Sequence, residues 1–570
     1  MATKTAKTGE SMGWRRWIAC CGASCLAISH GVFTQPAVPV QEAALSANYT
    51  YTVIDRLLNC SGAGSPVIGN NGDVAFIGHC DGTQFVRRGD GVTTIDIYRV
   101  GVGKPYSMPD TIVSINDDGT VAFGGGPIGG GSTGYTILVG SGGPLTVAAD
   151  TSVQTQWSTV ARPSINNSAV VAFMAVASGT GSFNTVIRAD GGGTFTTIAE
   201  PGDPAGAETI FQAFEPALNN AGQVEFLVNT TSGAGGGIFR GSGGALTKIV
   251  IGGVSSFVGI NDAGRVGFAP TDATIRTGAG GALTLIAAPS ADFLPITSVV
   301  AINNSNAVAF QAQTPSGMGI FVGDGVATQP VVQPGDVIPG LGTVTFAAMT
   351  EEAINDAGQV AFTIQYNDGE GLKSAIVRAD PILPQVSLKV AATATGCKKV
   401  NATVTLDRPA PPGGVVIDLS DTNPAASVPA SLKIASTKTS GKFAVAVTPV
   451  LSKVSGAITA TVGSSIATQF FAVVPISVAS LALTPNPVVG GNPVAGTATL
   501  DCAASNDITV ALSSTKPSIA QPAVPSLLVP AGTRTINFQV NTSAVTAAGS
   551  AKINATANGV TKSKKLVINP

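Results

Sequence analysis

Charge is what this 570-residue chain has least of, with Asp, Glu, Lys and Arg together at 11%, well below the usual quarter. Its 31 basic and 33 acidic residues leave a net charge of −2. No Lys/Arg cluster follows the N-terminal region, and neutralising a phosphate backbone needs one, so nucleic acid is excluded as a partner. Histidine is almost missing, with two residues. That excludes a His-based metal site. It also leaves a Ser-His-Asp triad dependent on His79, which has no nucleophile motif beside it. Cysteine is sparse at seven. Cys20, Cys21 and Cys25 crowd the N-terminus, and the other four form no C-x-x-C pair, which argues against zinc. Beyond the N-terminal region no apolar run is long enough to span a bilayer.

What is abundant points the other way. Gly reaches 70 residues and the apolar share is 44%, so the chain can bury surface and is not disordered. A bias to Gly, Thr, Ser, Ala and Val suits β-strands joined by tight turns rather than long helices. The chain is too long for one core, so several domains are expected.

The N-terminus reads as an export signal. Lys4, Lys7, Arg15 and Arg16 precede a weakly apolar run, Ile18–Phe33, too short and too broken by Ser and His for a permanent span. A twin-arginine signal at Arg15-Arg16 and a lipoprotein anchor at Cys25 are alternatives to an ordinary secretory signal. Cleavage is expected between Ala37 and Ala47, making 1–47 a leader. The mature chain is then secreted, periplasmic or on the cell surface. An even set of cysteines in an exported chain suggests two disulfides. Cys60–Cys80 would contribute about 3 kcal/mol by restricting the unfolded chain.

One phrase recurs seven times. VIGNNGDVAF (67–76) and SINDDGTVAF (114–123) are followed by SINNSAVVAF (164–173) and ALNNAGQVEF (217–226). GINDAGRVGF (259–268), AINNSNAVAF (301–310) and AINDAGQVAF (353–362) complete the set. The closing Phe residues are spaced 42 to 53 residues apart, a period that signals a propeller or solenoid. Each unit reads as an extended stretch, a turn with Asn, Asp and Gly, and the strand Val-Ala-Phe. A variable loop, a third strand such as GIFRG (237–241), a second Gly-rich turn and a fourth strand such as LTKIV (246–250) follow. Asn and Asp tolerate left-handed backbone and Gly adopts it without cost. Val and Phe, two apart, share a face and are expected to pack on the next unit. The last unit lacks a fourth strand before Pro381 and Pro384. An extended stretch at 50–56 has no unit of its own, and closing the ring with it removes an exposed edge. A seven-bladed β-propeller over 48–381 is the expectation, against an open solenoid.

These NxxGxxxAF-type phrases resemble a bacterial exported tandem-repeat family whose members carry varied C-terminal anchors or domains. The resemblance covers roughly 65–380 and implies nothing about activity. The sequence departs from the pattern at Gly69, which replaces Asn, and at Ala169 and Asn306, which replace Gly; altered turns are expected there.

The remainder changes style. LSDTNPAASVPASLKI (419–434) is echoed by LSSTKPSIAQPAVPSLLV (512–529), and ATVTLD (402–407) by GTATLD (496–501). Two Ig-like β-sandwiches over 382–475 and 476–570 follow, with the boundary near Val474–Ser477. Tandem stacking would bring Cys397 to Cys502. The overall fold class is therefore all-β, a seven-bladed β-propeller and two Ig-like sandwiches.

Candidate chemistry is thin. The repeated Asp117, Asp262 and Asp356 suit Asx-turns, with calcium on oxygen-rich turns as the alternative. No other cofactor is expected. Asp203 and Asp336 recur in Pro-Gly-Asp and could pair as acid and base on a glycan, against a structural turn role. Variable loops on a rigid scaffold are where binding resides. Tyr98, Arg99, Tyr106, Trp157, Arg162, Phe211, Phe293 and Tyr366 lie on them, and Trp157 could stack on a sugar or fill a groove between blades. The expectation is a non-catalytic surface or secreted protein that binds an extracellular glycan or protein. A carboxylate-based glycan hydrolase or lyase and a purely structural envelope protein are the alternatives.

Overall fold

The computed structural model describes residues 48–570 except 65, 102–104, 109–111, 128–134, 180–183, 233–235, 255–256, 292–295 and 397. The expected leader and Phe293 and Cys397 lie outside the described residues. Every regular element among those described is a β-strand. The chain divides into two units, Met1–Ile382 and Leu383–Pro570.

The first unit holds seven sheets of four or five strands, one per repeat. The third repeat shows the pattern. Trp157–Ile165, Val171–Ala177, Thr185–Gly191 and Thr194–Ala199 pair antiparallel in chain order. The Val-Ala-Phe strand sits second, between two neighbours, so it is buried on both faces. All seven motif Phe side chains are fully enclosed. Val and Phe point toward the preceding sheet, not the next as expected, and the small residue between them points forward. Phe226 of the fourth sheet thus packs with Ala172 of the third. Phe123 packs with Ala75, and Phe173 with Ala122. Large against small lets successive sheets interdigitate at core density.

The last sheet returns to the first. Phe76 packs with Ala361 and Ile376 of the seventh repeat. The strand Tyr49–Asp55 pairs antiparallel with Leu372–Pro381 of that repeat, from Tyr49 opposite Pro381 to Val53 opposite Val377. Tyr51 Oη donates to Val331 O at 2.6 Å, and Asp55 pairs with Arg87 of the first sheet at 2.6 Å. The Cys60–Cys80 disulfide joins two paired strands just beyond it.

The second unit contains four sheets in two successive pairs, each pair around its own core. The echoed Thr-Leu-Asp does the same work in both. Asp407 accepts from Gln385 N–H at 2.7 Å, and Asp501 accepts from the N–H and hydroxyl of Ser477. Each carboxylate anchors the segment that enters its pair of sheets. Cys502 is itself disulfide-bonded; the other half of the expected Cys397–Cys502 bridge lies outside the described residues.

Candidate functional site

The motif Asn-(Asn/Asp) forms two stacked ladders of hydrogen bonds. The first Asn, from Asn116 to Asn355, turns its Oδ1 onto its own turn, as in Thr120 N–H to Asn116 at 2.9 Å. Its Nδ2 donates to the same residue's carbonyl one repeat on. The steps are Asn116 to Asn166, then Asn219, Asn261, Asn303, Asn355 and Gly69. Gly69 interrupts the ladder for a steric reason: a Cβ there would stand 2.9 Å from the carbonyl oxygen of Asn116.

The second motif residue closes completely. The backbone N–H of Asn70 donates to Asp117 Oδ1, Asp117 to Asn167, Asn167 to Asn220 and Asn220 to Asp262. Asp262 donates to Asn304, Asn304 to Asp356, and Asp356 back to Asn70, all at 2.8–2.9 Å. No two Asp are adjacent in this cycle, so each carboxylate meets an amide neighbour: Asp262 Oδ2 accepts from Asn220 and Asn304. The Asx-turn expected of Asp117, Asp262 and Asp356 belongs instead to the Asn before each; the Asp joins repeats. Arginines of the third strand add a further stitch. Arg88, Arg188, Arg240 and Arg378 donate to the carbonyls of Gly119, Gly222, Gly264 and Gly72 in the following repeat.

Of the three turns expected to be altered, the one at Gly69 is, with Asn71 Oδ1 accepting from Asp73 N–H in place of the missing Asn; the other two are not. Ala169 (φ +57°) and Asn306 (φ +64°) adopt the left-handed backbone of Gly119 and Gly264. Asn tolerates that region and Ala does not. Ala169→Gly is therefore expected to stabilise the chain by about 1 kcal/mol, read as a higher urea midpoint.

Inside the ladders lies a cavity of about 130 Å³ lined by all seven repeats. Its rim is the Asn/Asp cycle, mostly exposed. Its wall is the motif's aliphatic residue, Ile in six repeats and Leu218 in the fourth. Its floor is Glu351 and Glu352, in the segment 349–352. In the third and fourth repeats the first strand runs on to the motif, ending at Ile165 and Leu218. In the seventh it stops at Ala348, and the next residues turn inward. Ser114 and Ser164 both donate to Glu352 Oε1, at 3.0 and 2.9 Å. The same hydroxyls accept from Ile165 N–H and Leu218 N–H. Ile68 N–H donates to the Glu352 carbonyl. The segment is thus tied to the first, second and third repeats.

Burial, reinforced by Glu351, pushes the Glu352 carboxyl up to about 8. The folded chain therefore holds a proton that the unfolded chain releases near 4.5. Stability from this group is complete below the unfolded value and is lost as pH rises through the folded one. Glu352→Gln is expected to flatten the stability–pH curve between about pH 4.5 and 8 and to be more stable than wild type above pH 8 by about 2 kcal/mol.

Behind the floor, the residue three before the motif Ile varies between repeats. Arg162, Glu215 and Phe257 occupy it in the third, fourth and fifth, at φ +55°, +55° and +81°. Bulges at Ala161/Ser164 and Phe214/Ala217 drive the first two out of the ladder. Arg162 pairs with Glu215 at 2.6 Å and lies 4.9 Å from the Phe257 ring centroid. Glu225, in the slot that other repeats give to Ala or Gly, is fully buried and neither carboxyl oxygen has a hydrogen-bond partner. Burial, with Glu351 and Glu215, raises its carboxyl well above the ordinary value. Sequence reading singled out Arg162 as a loop residue and missed Glu215, Phe257 and Glu225. Aligning the repeats exposes them, because a charge interrupts a column that is otherwise apolar or small.

The expected binding residues do not converge. Trp157 is 7% exposed, and its ring meets Phe173 and Phe195 edge-on at 5.5 and 5.1 Å. It fills a core and offers no face to a sugar, which corrects the stacking expectation. Tyr366 is buried in the seventh sheet's core. Tyr98 is buried and exchanges hydrogen bonds with the backbone of Tyr106. Arg99 is tied to Asp96 at 2.9 Å. Phe211 is exposed, at 57%, and Arg162 lines a small pocket together with Glu351 and Glu352. Asp203 and Asp336 cap equivalent turns in different sheets, accepting from Glu200 N–H and Gln333 N–H at 2.9 and 2.8 Å. They form no acid–base pair. Among the described residues no group of His, Cys, Asp or Glu is arranged to hold a metal ion.

The profile of a family described as "Family of unknown function (DUF7453)" matches residues 49–256 and 115–378. No curated protein matches. Among solved structures, the Yersinia pseudotuberculosis adhesin InvE aligns at 13% identity and TM-score 0.18, over 33% of this chain and 58% of that one. Native E. coli alpha-2-macroglobulin aligns at 9% and 0.16, over 91% and 45%. Red sea bream transglutaminase aligns at 8% and 0.22, over 46% and 51%. The chain spans about half the length of the solved structures it matches, and scores this low establish no common fold.

Proposed function

Since the chain belongs to DUF7453, a family of unknown function, we propose from its geometry that it is an exported, non-catalytic binding protein. Its first unit is a seven-bladed propeller closed by Tyr49–Asp55, and its second is a pair of Ig-like sandwiches. Seven sheets in cyclic contact and a hydrogen-bond cycle that returns to Asn70 support the propeller. Two echoed pairs of antiparallel sheets support the sandwiches. Export rests on the N-terminal sequence and agrees with the Cys60–Cys80 disulfide.

The observation that carries the binding role is the axial cavity, built from every repeat and floored by carboxyl groups. Small ligands bind in concave sites where convergent polar groups fix their orientation, and this cavity sets rings of Asn, Asp and Glu beside an aliphatic wall. A glycan held on aromatic faces loses its support with Trp157 and Tyr366 buried. A second reading, carboxylate-based hydrolysis, has one observation in its favour: a carboxyl raised to about 8 at Glu352, as a general acid requires. A glycosidic bond would have to reach it down a narrow aliphatic channel, which favours binding over cleavage. A thermal-shift screen of the full chain against oligosaccharides and small charged and neutral solutes tests the role. A saturable rise in midpoint without consumption of the solute is expected; steady cleavage of an oligosaccharide contradicts it.

A further inference from the structure

The cavity has a definite chemical polarity. Three carboxylates, Asp117, Asp262 and Asp356, stand on its rim, and Glu351 and Glu352 at its floor. Among the described residues no Lys, Arg or aromatic ring lines it. Between the two acidic ends the wall is aliphatic. The buried wall residues keep 5–8% exposure, the sliver of each that faces the channel.

We propose that this cavity binds a linear aliphatic ammonium, with the alkyl chain against the Ile/Leu wall and positive charge at the acidic floor and rim. The inference rests on the reading of the chain as a binding protein and names the ligand class. An anion would meet only carboxylates and amide edges. A hydrated metal ion would lose its water to a wall with no oxygen to replace it. A sugar would find no ring to stack on. An alkylammonium matches each zone: methylenes leave water for the aliphatic wall, at about 0.8 kcal/mol each, and the ammonium donates to the rim carboxylates and, with release of the Glu352 proton to solvent, to Glu352 at the floor.

Size agrees. The volume, about 130 Å³, is close to the roughly 150 Å³ apolar cavity that takes up benzene, so six or seven heavy atoms fit. Depth agrees as well. Ser164, which holds Glu352, lies on the strand Trp157–Ile165, and Asn167 on the rim lies in the turn that follows, three residues on, so floor and rim are at most roughly 10 Å apart. A four- or five-carbon diammonium chain spans that with a hydrogen bond at each end. A lysine side chain carries the same ammonium on a similar stem, so a free amine and a lysine inserted by a protein are two sources of one chemistry.

Titration calorimetry on the full chain tests this with 1,5-diaminopentane, n-pentylamine, Nα-acetyl-lysine amide, n-pentanol and pentanoate. Saturable one-to-one binding is expected for the diamine, weaker for the monoamine, and none for pentanoate. Tighter binding of the acetyl-lysine amide than of the diamine would support the inference and assign the ammonium to a protein lysine. Asp262→Asn places at the rim a residue that other repeats already use there, so the ladder survives; it is expected to weaken diamine binding about fivefold. Glu352→Gln retains acceptors for both serines and is expected to weaken it tenfold or more. Unchanged affinity in both variants overturns the inference. Pentanol binding as tightly as the diamine also overturns it while leaving a binding protein in place. No binding of any probe removes both the ammonium site and the axial-cavity role.

Discussion

A chain beginning at Arg56 is expected to lose the folded seven-sheet unit while residues 383–570 stay folded. Tyr49–Asp55 supplies the outer strand of the seventh sheet, and Tyr49 and Ile54 are buried, at 4% and 5% exposure. Its removal opens a sheet edge, exposes Ala375–Ala379 and strips Arg87 of Asp55. It also parts the only sheet in which the chain's early and late segments pair among the described residues of this unit. The expected loss is about 5 kcal/mol or more, the size of a domain's whole net stability. The second unit has cores composed only of its own residues, so its amides keep their protection in hydrogen exchange. A synthetic peptide of residues 48–56 added in excess is expected to restore protection to Leu372–Pro381. An unchanged unfolding midpoint in the shortened chain would mean that the strand does not seal the unit.

Glu225→Ala is expected to stabilise the protein. The wild-type carboxyl is buried without a hydrogen-bond partner, and leaving such a group unsatisfied costs about 1–3 kcal/mol. Alanine occupies the same slot, fully buried, at Ala75, Ala122, Ala172, Ala309 and Ala361. The gain depends on pH in a fixed direction. Because the folded-state value is raised, wild type is most stable below the ordinary carboxyl range and weakens as pH rises above it. The variant's advantage is therefore smallest near pH 4 and grows toward alkaline pH. Urea unfolding at pH 4, 7 and 9 measures it; an advantage that shrinks with pH would show that the carboxyl is ionised and paired in the folded chain. Retention of a costly acid behind the cavity floor fits the general pattern in which strain is kept at functional sites.

The repeats were legible because their turn chemistry is strict. Val-Ala-Phe alternates with period two, and each Asn-(Asn/Asp) precedes a position that needs left-handed backbone, so strand and turn could be placed residue by residue. Gly69 was visible as a departure but its reason was not, since the close carbonyl of Asn116 comes from another repeat. The same limit hid the site. Whether Asp117 serves its own turn or the next repeat is a question of cyclic contact, which a linear sequence does not display. Trp157 invited a surface role because it is rare, yet rarity says nothing of burial; Phe173 and Phe195, which enclose it, lie in the same sheet. Glu352 carries no signal in the sequence, because the partners that define it, Ser114 and Ser164, come from two other repeats.

The central claim is that the first unit is a closed ring sealed by its N-terminal strand. Thr50 and Asp380 are direct partners across that seal. The double variant Thr50→Cys/Asp380→Cys, oxidised under native conditions and digested, tests it by mass spectrometry. A bridge joining the two peptides in high yield, absent when Thr50→Cys is combined with Thr94→Cys in the first sheet, is the result expected. Failure of the two introduced cysteines to bridge in a folded chain would contradict the closure.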